Sequence, residues 1–378
     1  MTSNFREKHL LALLEGFSFQ NLPLDVFIRN YLKTHKAIGA HDRRYIAESV
    51  YTIIRWLAPI DFFCSTEHSW KERLKVFKSI DLESLQNQDL PKHIKVSCPK
   101  KLFELFVGAF GEEKAQELCL TSNTQAPTTV RVNALKIDRQ TLFNKWREIY
   151  DVSICEHSPY AIRFNKRENF FGMEDFKNGF FEIQDEGSQL IAFLVNPKPG
   201  QQVLDFCSGS GGKTLAFAPL MQGKGQIYLH DIRKHVLIEA KKRLCRAGIQ
   251  NAQILQFDDA KKAKLKGKMD WILVDGPCSG TGTLRRNPDM KWRFDTEGLP
   301  KLALEQRNIF HEALSFLKPG GKIVYATCSI LPQENEEQVS YFLNEYSLTL
   351  CEPPLSIFPK VGGMDGFFGA VFEKPKNS

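Results

Sequence analysis

The sequence predicts an α/β fold. A mainly parallel sheet with crossover helices occupies residues 197–378, preceded by a small α/β region over 96–196 and a helical domain over 1–95. Three observations predict it. Past Pro197-Lys198-Pro199-Gly200 the chain repeats strand, turn and helix, the order that builds parallel strands joined by helices. Before about residue 95, apolar residues fall at helical spacing and no alternating pattern occurs. Between the two, Thr128-Thr129-Val130-Arg131-Val132-Asn133 alternates and is β-branched, as a half-buried strand should be.

In the N-terminal region, Glu7 to Leu14 and Tyr45 to Leu57 carry helical patterns, with His41-Asp42 as a cap before the second. This region reads either as a solvated bundle or as an RNA-docking surface. In the middle region a helix runs from Pro99 through Phe110, Gly111-Glu112-Glu113 opens another, and Asp138 to Trp146 forms a third. In the last region the predicted strands are Gln202–Phe206, Gln226–His230, Ala252–Phe257, Trp271–Val274 and Lys322–Ala326. Helices fall between them at about Thr214–Pro219, Lys234–Ala247 and Leu299–Leu317.

Composition excludes several classes. With 42% hydrophobic and 25% charged residues over 378 positions, the chain is not disordered and is long enough to bury a full core. No apolar run approaches the roughly 18 residues of a membrane span, and the mean hydropathy is −0.31. The first residues lack the charged, apolar, small pattern of a secretory signal. Nine cysteines are scattered without a CxxC pair, so neither structural zinc nor a disulfide framework is expected. Reduced thiols in a cytoplasm are expected instead. The net charge of +7 suits a polyanionic partner.

The chemistry gathers at strand ends. Val203-Leu204-Asp205-Phe206 runs into Cys207-Ser208-Gly209-Ser210-Gly211-Gly212-Lys213, then a helix. Such a glycine turn lets backbone approach a ligand, and the helix start offers unpaired N–H groups. It is not a phosphate-binding P-loop, because the position of the first required glycine is Cys207. The next strand ends at Asp231, either a ribose partner or a helix cap. The third ends at Asp258-Asp259, the fourth at Asp275-Gly276-Pro277-Cys278, the fifth at Thr327-Cys328-Ser329. Ligands of open parallel sheets bind at that edge. A thiol there is either a buried apolar group or, beside cationic groups, an activated nucleophile.

On these residues the chain resembles the RsmB/Nop/NSUN family of S-adenosylmethionine-dependent RNA 5-methylcytosine methyltransferases, closest to the bacterial RsmB-like branch acting on 16S rRNA. The resemblance runs from about Ser97 to Glu373. It rests on Gln184-Asp185-Glu186-Gly187-Ser188-Gln189, the glycine turn, Asp275 to Gly282, Arg285-Arg286-Asn287-Pro288-Asp289-Met290-Lys291-Trp292, Tyr325 to Ile330 and Asp365-Gly366-Phe367-Phe368. Residues 1–95 resemble that branch's NusB-like RNA-binding domain more weakly, mainly at Asp42-Arg43-Arg44.

The resemblance implies a Rossmann-like S-adenosyl-L-methionine-dependent catalytic domain. It implies a cofactor lying across Cys207, Ser208, Gly209, Ser210, Gly211, Gly212 and Lys213, with Asp231 on the ribose and Asp258 near the adenine. Asp275 would meet the cytosine with Lys213 nearby, Cys328 would be the nucleophile, and Cys278 would aid release. Arg285, Arg286 and Lys291 beside Trp292 are expected to contact phosphates. The family usually has proline where Ser210 stands, and commonly glycine where Asp259 stands. The expected substrate is ribosomal RNA, with transfer RNA as runner-up, and the expected state is a monomer that binds no membrane. Two alternatives remain: Cys278 as nucleophile, as in DNA cytosine-C5 methyltransferases, or a non-catalytic RNA-binding assembly factor that keeps the fold.

Overall fold

Burial follows the predicted periodicities in the computed structural model, which describes residues 2–65, 68–256 and 259–376. The chain forms two compact units: residues 1–125 with 283–297, and residues 126–282 with 298–378. Among the described residues, no helix is long and apolar enough to cross a membrane.

The first unit is helical. Helices Thr2–Gly16, Leu24–Thr34 and Ala40–Arg55 bury Leu13, Leu14, Leu24, Ile46, Val50, Ile53 and Ile54 in one cluster. The expected cap at His41-Asp42 is corrected. The helix starts one turn earlier, after Gly39, so His41 and Asp42 lie in its first turn. Asp42 instead accepts a hydrogen bond from Arg6 Nε at 2.6 Å. Pro99 and Gly111 precede helices Lys100–Phe110 and Glu112–Ser122 as expected.

The segment 283–297 corrects a second expectation, because two of the basic residues expected on phosphates are buried, while Arg286 is half-buried. Lys291 is 3% exposed and Arg285 1%. The Lys291 ammonium donates to Arg55 O (2.7 Å), Ser97 O (2.5 Å) and Asn123 Oδ1 (2.7 Å). Trp292 donates through Nε1 to Ile54 O at 2.8 Å, and Asp289 accepts from Leu24 N at 3.2 Å. Three acceptors matching three N–H bonds are what allow an ammonium to be buried. Lys291 is therefore a structural lysine, and burial lowers its pKa to about 8.

The second unit holds two sheets. Strands β1 (Thr128–Val132), β2 (Val152–Ile154), β3 (Ala161–Phe164) and β4 (Phe181–Ile183) form an antiparallel sheet ordered β2-β3-β1-β4. Strands β5 (Gln202–Asp205), β6 (Gln226–Leu229), β7 (Ala252–Ile254), β8 (Met269–Asp275), β9 (Leu317–Thr327), β10 (Thr349–Leu350), β11 (Leu355–Ile357) and β12 (Phe367–Glu373) form the other. Its order is β10-β12-β9-β8-β5-β6-β7, with β11 also on β12. The five strands from β5 to β9 are parallel, and β12 joins antiparallel. This is the Rossmann-like arrangement expected for the catalytic domain.

Val203, Ile227, Leu229, Leu273 and Val324 face one buried layer, and Leu204, Ile272, Val274, Ile323 and Tyr325 the other. Helix Lys234–Ala247 has the predicted bounds, closed by Gly248 in the left-handed conformation. Helix Leu299–Leu314 stops short of the predicted Leu317, because Leu317 is already paired with Met269 in the sheet.

Candidate active site

Strands β5, β8 and β9 are adjacent and parallel, so their last residues share one edge. Asp205, Asp275 and Thr327 end them, and the loops that follow carry the glycine turn, Cys278 and Cys328.

The turn after β5 is set by its glycines. Gly209 and Gly211 have φ of +52° and +78°, which a side chain with a Cβ rarely adopts. Ser208 N donates to His230 O, and Gly211 N to Ser208 O, both at 2.8 Å. Two arginines brace the turn from outside. Arg243 donates to Ser210 O (3.0 Å) and Ser210 Oγ (2.6 Å), and Arg131 to Gly212 O at 3.1 Å. Where the resembled family has proline, the Ser210 hydroxyl thus anchors the turn by a charge-assisted bond. Glu182 pairs with Arg243 and Arg246, and burial lowers the Arg131 pKa to about 9.

Asp231 lies at the end of β6 and is buried, but it is not the cap of helix Lys234–Ala247. Its oxygens accept from Gly209 N (2.9 Å), Arg233 N (2.9 Å) and the Arg233 guanidinium (3.0 and 3.1 Å). Burial opposes this charge, yet the Arg233 and Gly209 bonds hold its pKa below the usual carboxylate range. Asp258 lies outside the described residues.

At the heart of the edge, Cys278 Sγ and Cys328 Sγ are 3.1 Å apart. The hydrogen bond from Cys278 lowers the Cys328 thiol below its ordinary value. Burial and Asp275 oppose that shift, while the Lys213 ammonium adds to it. Cys278 moves the opposite way, through its bond to Cys328 and burial. Lys213 is ion-paired to Asp275. Burial works against its charge, but Asp275 keeps its pKa above the ordinary lysine value. Burial pushes Cys207 well up, which leaves it a neutral wall of the turn. The structure thus brings together Cys278, Cys328, Asp275 and Lys213, and places Cys207 to Gly212 and Asp231 along the neighbouring turn.

Two buried polar atoms face this region without a hydrogen-bond partner, Ser208 Oγ and Asp205 Oδ1. Orphaned buried atoms are uncommon and call for a ligand or water. With Asp231 and the glycine turn they make a donor and acceptor set that fits a ribose and an amino-acid tail, as S-adenosyl-L-methionine carries.

Sequence reasoning missed the residues behind the thiols. Glu334, fully buried, bonds to Ser279 and Ser329, the residues that follow the two cysteines. The signal was one acidic residue in the turn after β9, indistinguishable in sequence from a surface carboxylate. The Gln184–Gln189 motif is architectural: Asp185 caps helix Glu186–Phe193, and Glu186 accepts from His157 N and Ser158 N.

The family model "16S rRNA methyltransferase RsmB/F" matches residues 192–373, and a ferredoxin-like domain model of RsmF/B-like methyltransferases matches residues 98–170. The chain is 35% identical over 259 residues to ribosomal RNA small subunit methyltransferase B of Proteus mirabilis, covering 67% of this chain and 60% of that one. It is 30% identical over 302 residues to the probable ribosomal RNA small subunit methyltransferase B of Synechocystis, covering 74% and 67%. It therefore spans about 60–67% of the length of these curated relatives. The crystal structure of PH0851 shares the fold, with a TM-score of 0.79, 24% identity and 97% of both chains covered.

Proposed function

As the chain belongs to the RsmB/F family of 16S rRNA methyltransferases, we propose that it is an S-adenosylmethionine-dependent RNA cytosine-C5 methyltransferase. Its substrate in this reading is small-subunit ribosomal RNA, with transfer RNA as the runner-up. It works as a cytoplasmic monomer. The observation that carries the reading is the 3.1 Å approach of Cys278 and Cys328 beside the Lys213–Asp275 pair.

Cytosine C5 is a poor nucleophile. In this reading the Cys328 thiolate attacks C6, which pushes electron density onto C5 and splits one hard step into easier ones. The direction of the two thiol shifts favours Cys328 over Cys278 for this role. Asp275, held by Lys213, meets the N3/N4 edge and orients the base, and the Lys213 ammonium beside it offsets the negative charge that the thiolate brings to the ring. S-adenosyl-L-methionine, when bound, supplies the electrophilic methyl group. Ser208, Gly209, Ser210, Gly211, Gly212 and Lys213 would hold it, with Asp231 on the ribose and Asp258 toward the adenine. Once Cys278 has passed its own thiol proton to solvent, its thiolate takes the C5 proton, the C5=C6 bond re-forms, and the Cys328–C6 bond breaks with its electron pair returning to Cys328 sulfur. A thiol reaches C6 only if the base is unstacked, so the target cytosine lies in a loop or is extruded.

Denaturing-gel trapping on RNA that contains 5-fluorocytosine tests this. The full chain should form a covalent adduct and Cys328→Ala should form none. Cys278→Ala should accumulate adduct on ordinary RNA, because release is blocked. An adduct that survives Cys328→Ala and vanishes in Cys278→Ala would reverse the roles.

A further inference from the structure

The proposed mechanism leaves one buried ionisable group behind the thiols unused. Glu334 sits in the turn after β9 with 0% exposure. Four donors converge on its carboxylate. Oε1 accepts from Ser279 N at 2.8 Å and Gln306 Nε2 at 2.9 Å. Oε2 accepts from Ser329 Oγ at 2.5 Å and from Ser279 Oγ. No Lys, Arg or His forms a salt bridge with it among the described residues. A buried carboxylate without a cation carries a large desolvation cost, which only a full set of hydrogen bonds offsets.

The arrangement is symmetric about the two sulfurs. Ser279 follows Cys278 and Ser329 follows Cys328, and one carboxylate binds both. Gln306 extends the same grip by donating to Pro277 O at 3.0 Å, on the other side of Cys278. Thus the two thiol-bearing loops, 50 positions apart, are tied through one side chain. We propose that Glu334 is a positioning residue whose carboxylate clamps Ser279 to Ser329 and so holds the Cys278 and Cys328 sulfurs in contact. The inference rests on the reading of those cysteines as the catalytic pair. Its charge has a second effect, because a nearby anion disfavours a thiolate: Glu334 adds to the rise of Cys278 and works against the lowering of Cys328.

The test uses thiol chemistry in the full chain, without RNA. Diamide oxidises a thiol pair to a disulfide, each sulfur losing one hydrogen to the reagent's N=N bond. Peptide mass spectrometry should show rapid Cys278–Cys328 disulfide formation in the unmodified protein. Glu334→Ala should slow it about tenfold or more, since alignment is what makes two groups react as one. Glu334→Gln keeps the shape, with its amide donating to the two hydroxyls, and should stay within about threefold of the unmodified rate. Glu334→Gln should also shift the iodoacetamide alkylation profile of Cys328 to lower pH, which loss of a merely structural contact would not do. If Glu334→Ala does not fold, the Ser279→Ala/Ser329→Ala double variant carries the same rate test. An unchanged disulfide rate in a folded clamp variant, or an unmoved alkylation profile in Glu334→Gln, overturns the proposal. Absence of an RNA adduct with normal thiol behaviour would instead remove the methyltransferase reading and leave the clamp standing.

Discussion

Asp205 shows how much one side chain at this edge is asked to bear. It ends β5 with 1% exposure, accepts one hydrogen bond from Thr214 Oγ1 at 2.6 Å, and keeps Oδ1 unpartnered. Burial raises its pKa to about 7, with Asp275 and Asp231 adding to the shift. The folded protein therefore holds a proton on Asp205 that the unfolded chain releases near the ordinary value of 3.8. That contribution to stability is fully present below 3.8 and is lost as pH rises through about 7. Asp205→Asn resembles the protonated form at every pH. Its urea midpoint relative to the unmodified protein should rise between pH 4 and pH 7 and then level off. A difference that stays flat across that window would mean that Asp205 is solvated or partnered in the fold. At the neighbouring Lys213, burial works against the charge but Asp275 keeps the ammonium protonated.

Between elements, the decisive contacts are backbone approaches that motifs mark only as glycine. Gly282 N donates to Cys328 O at 2.9 Å, and Gly282 O accepts from Gly366 N at 2.8 Å. A Cβ at Gly282 would lie 2.3 Å from Gly366 O. Backbone on both sides leaves nothing flexible to yield, so Gly282→Ala is expected to cost about 2–4 kcal/mol, at or above the usual range for overpacking. Chemical denaturation measures that loss, and adduct formation on 5-fluorocytosine RNA should slow with it. At this scale much was legible in sequence. Apolar runs ending in Asp205, Asp231 and Asp275 placed the strands, and the paired Pro277-Cys278 and Thr327-Cys328 marked the site. Glu334 was not legible, because its donors come from segments that meet only in the fold. Nor was the brace on Ser210, which Arg243 supplies from the next helix. Lys291 and Arg285 misled, since composition cannot distinguish a lysine aimed at phosphates from one whose N–H bonds end on three buried oxygens.

At the scale of the whole chain, segment 283–297 matters most. It follows directly on Gly282, at the end of the second unit's Pro-Cys loop, yet belongs to the first unit, and the chain returns to the second unit at Gly298. Residues 1–125 are thus incomplete by themselves. They lack the ammonium that satisfies Arg55 O, Ser97 O and Asn123 Oδ1, and the indole that packs on the Ile46–Ile54 core. Lys291→Met keeps the stem but leaves those three oxygens without their donor. Unpaired buried acceptors cost roughly 1–3 kcal/mol each, so the first unit should melt well before that of the unmodified protein. The pH dependence separates this from a simple packing defect. Lys291 loses its proton near pH 8 in the fold, but near the ordinary lysine value of 10.5 when unfolded. The unfolded state binds more protons between those values, so the penalty for burying the charge is relieved as pH rises through that interval. The stability gap between the unmodified protein and Lys291→Met should therefore widen from pH 8 toward pH 10.5. Thermal melts of the two proteins across that range measure it. A gap that narrows instead would show that the neutral amine, with one N–H fewer for three acceptors, is the costlier form to bury.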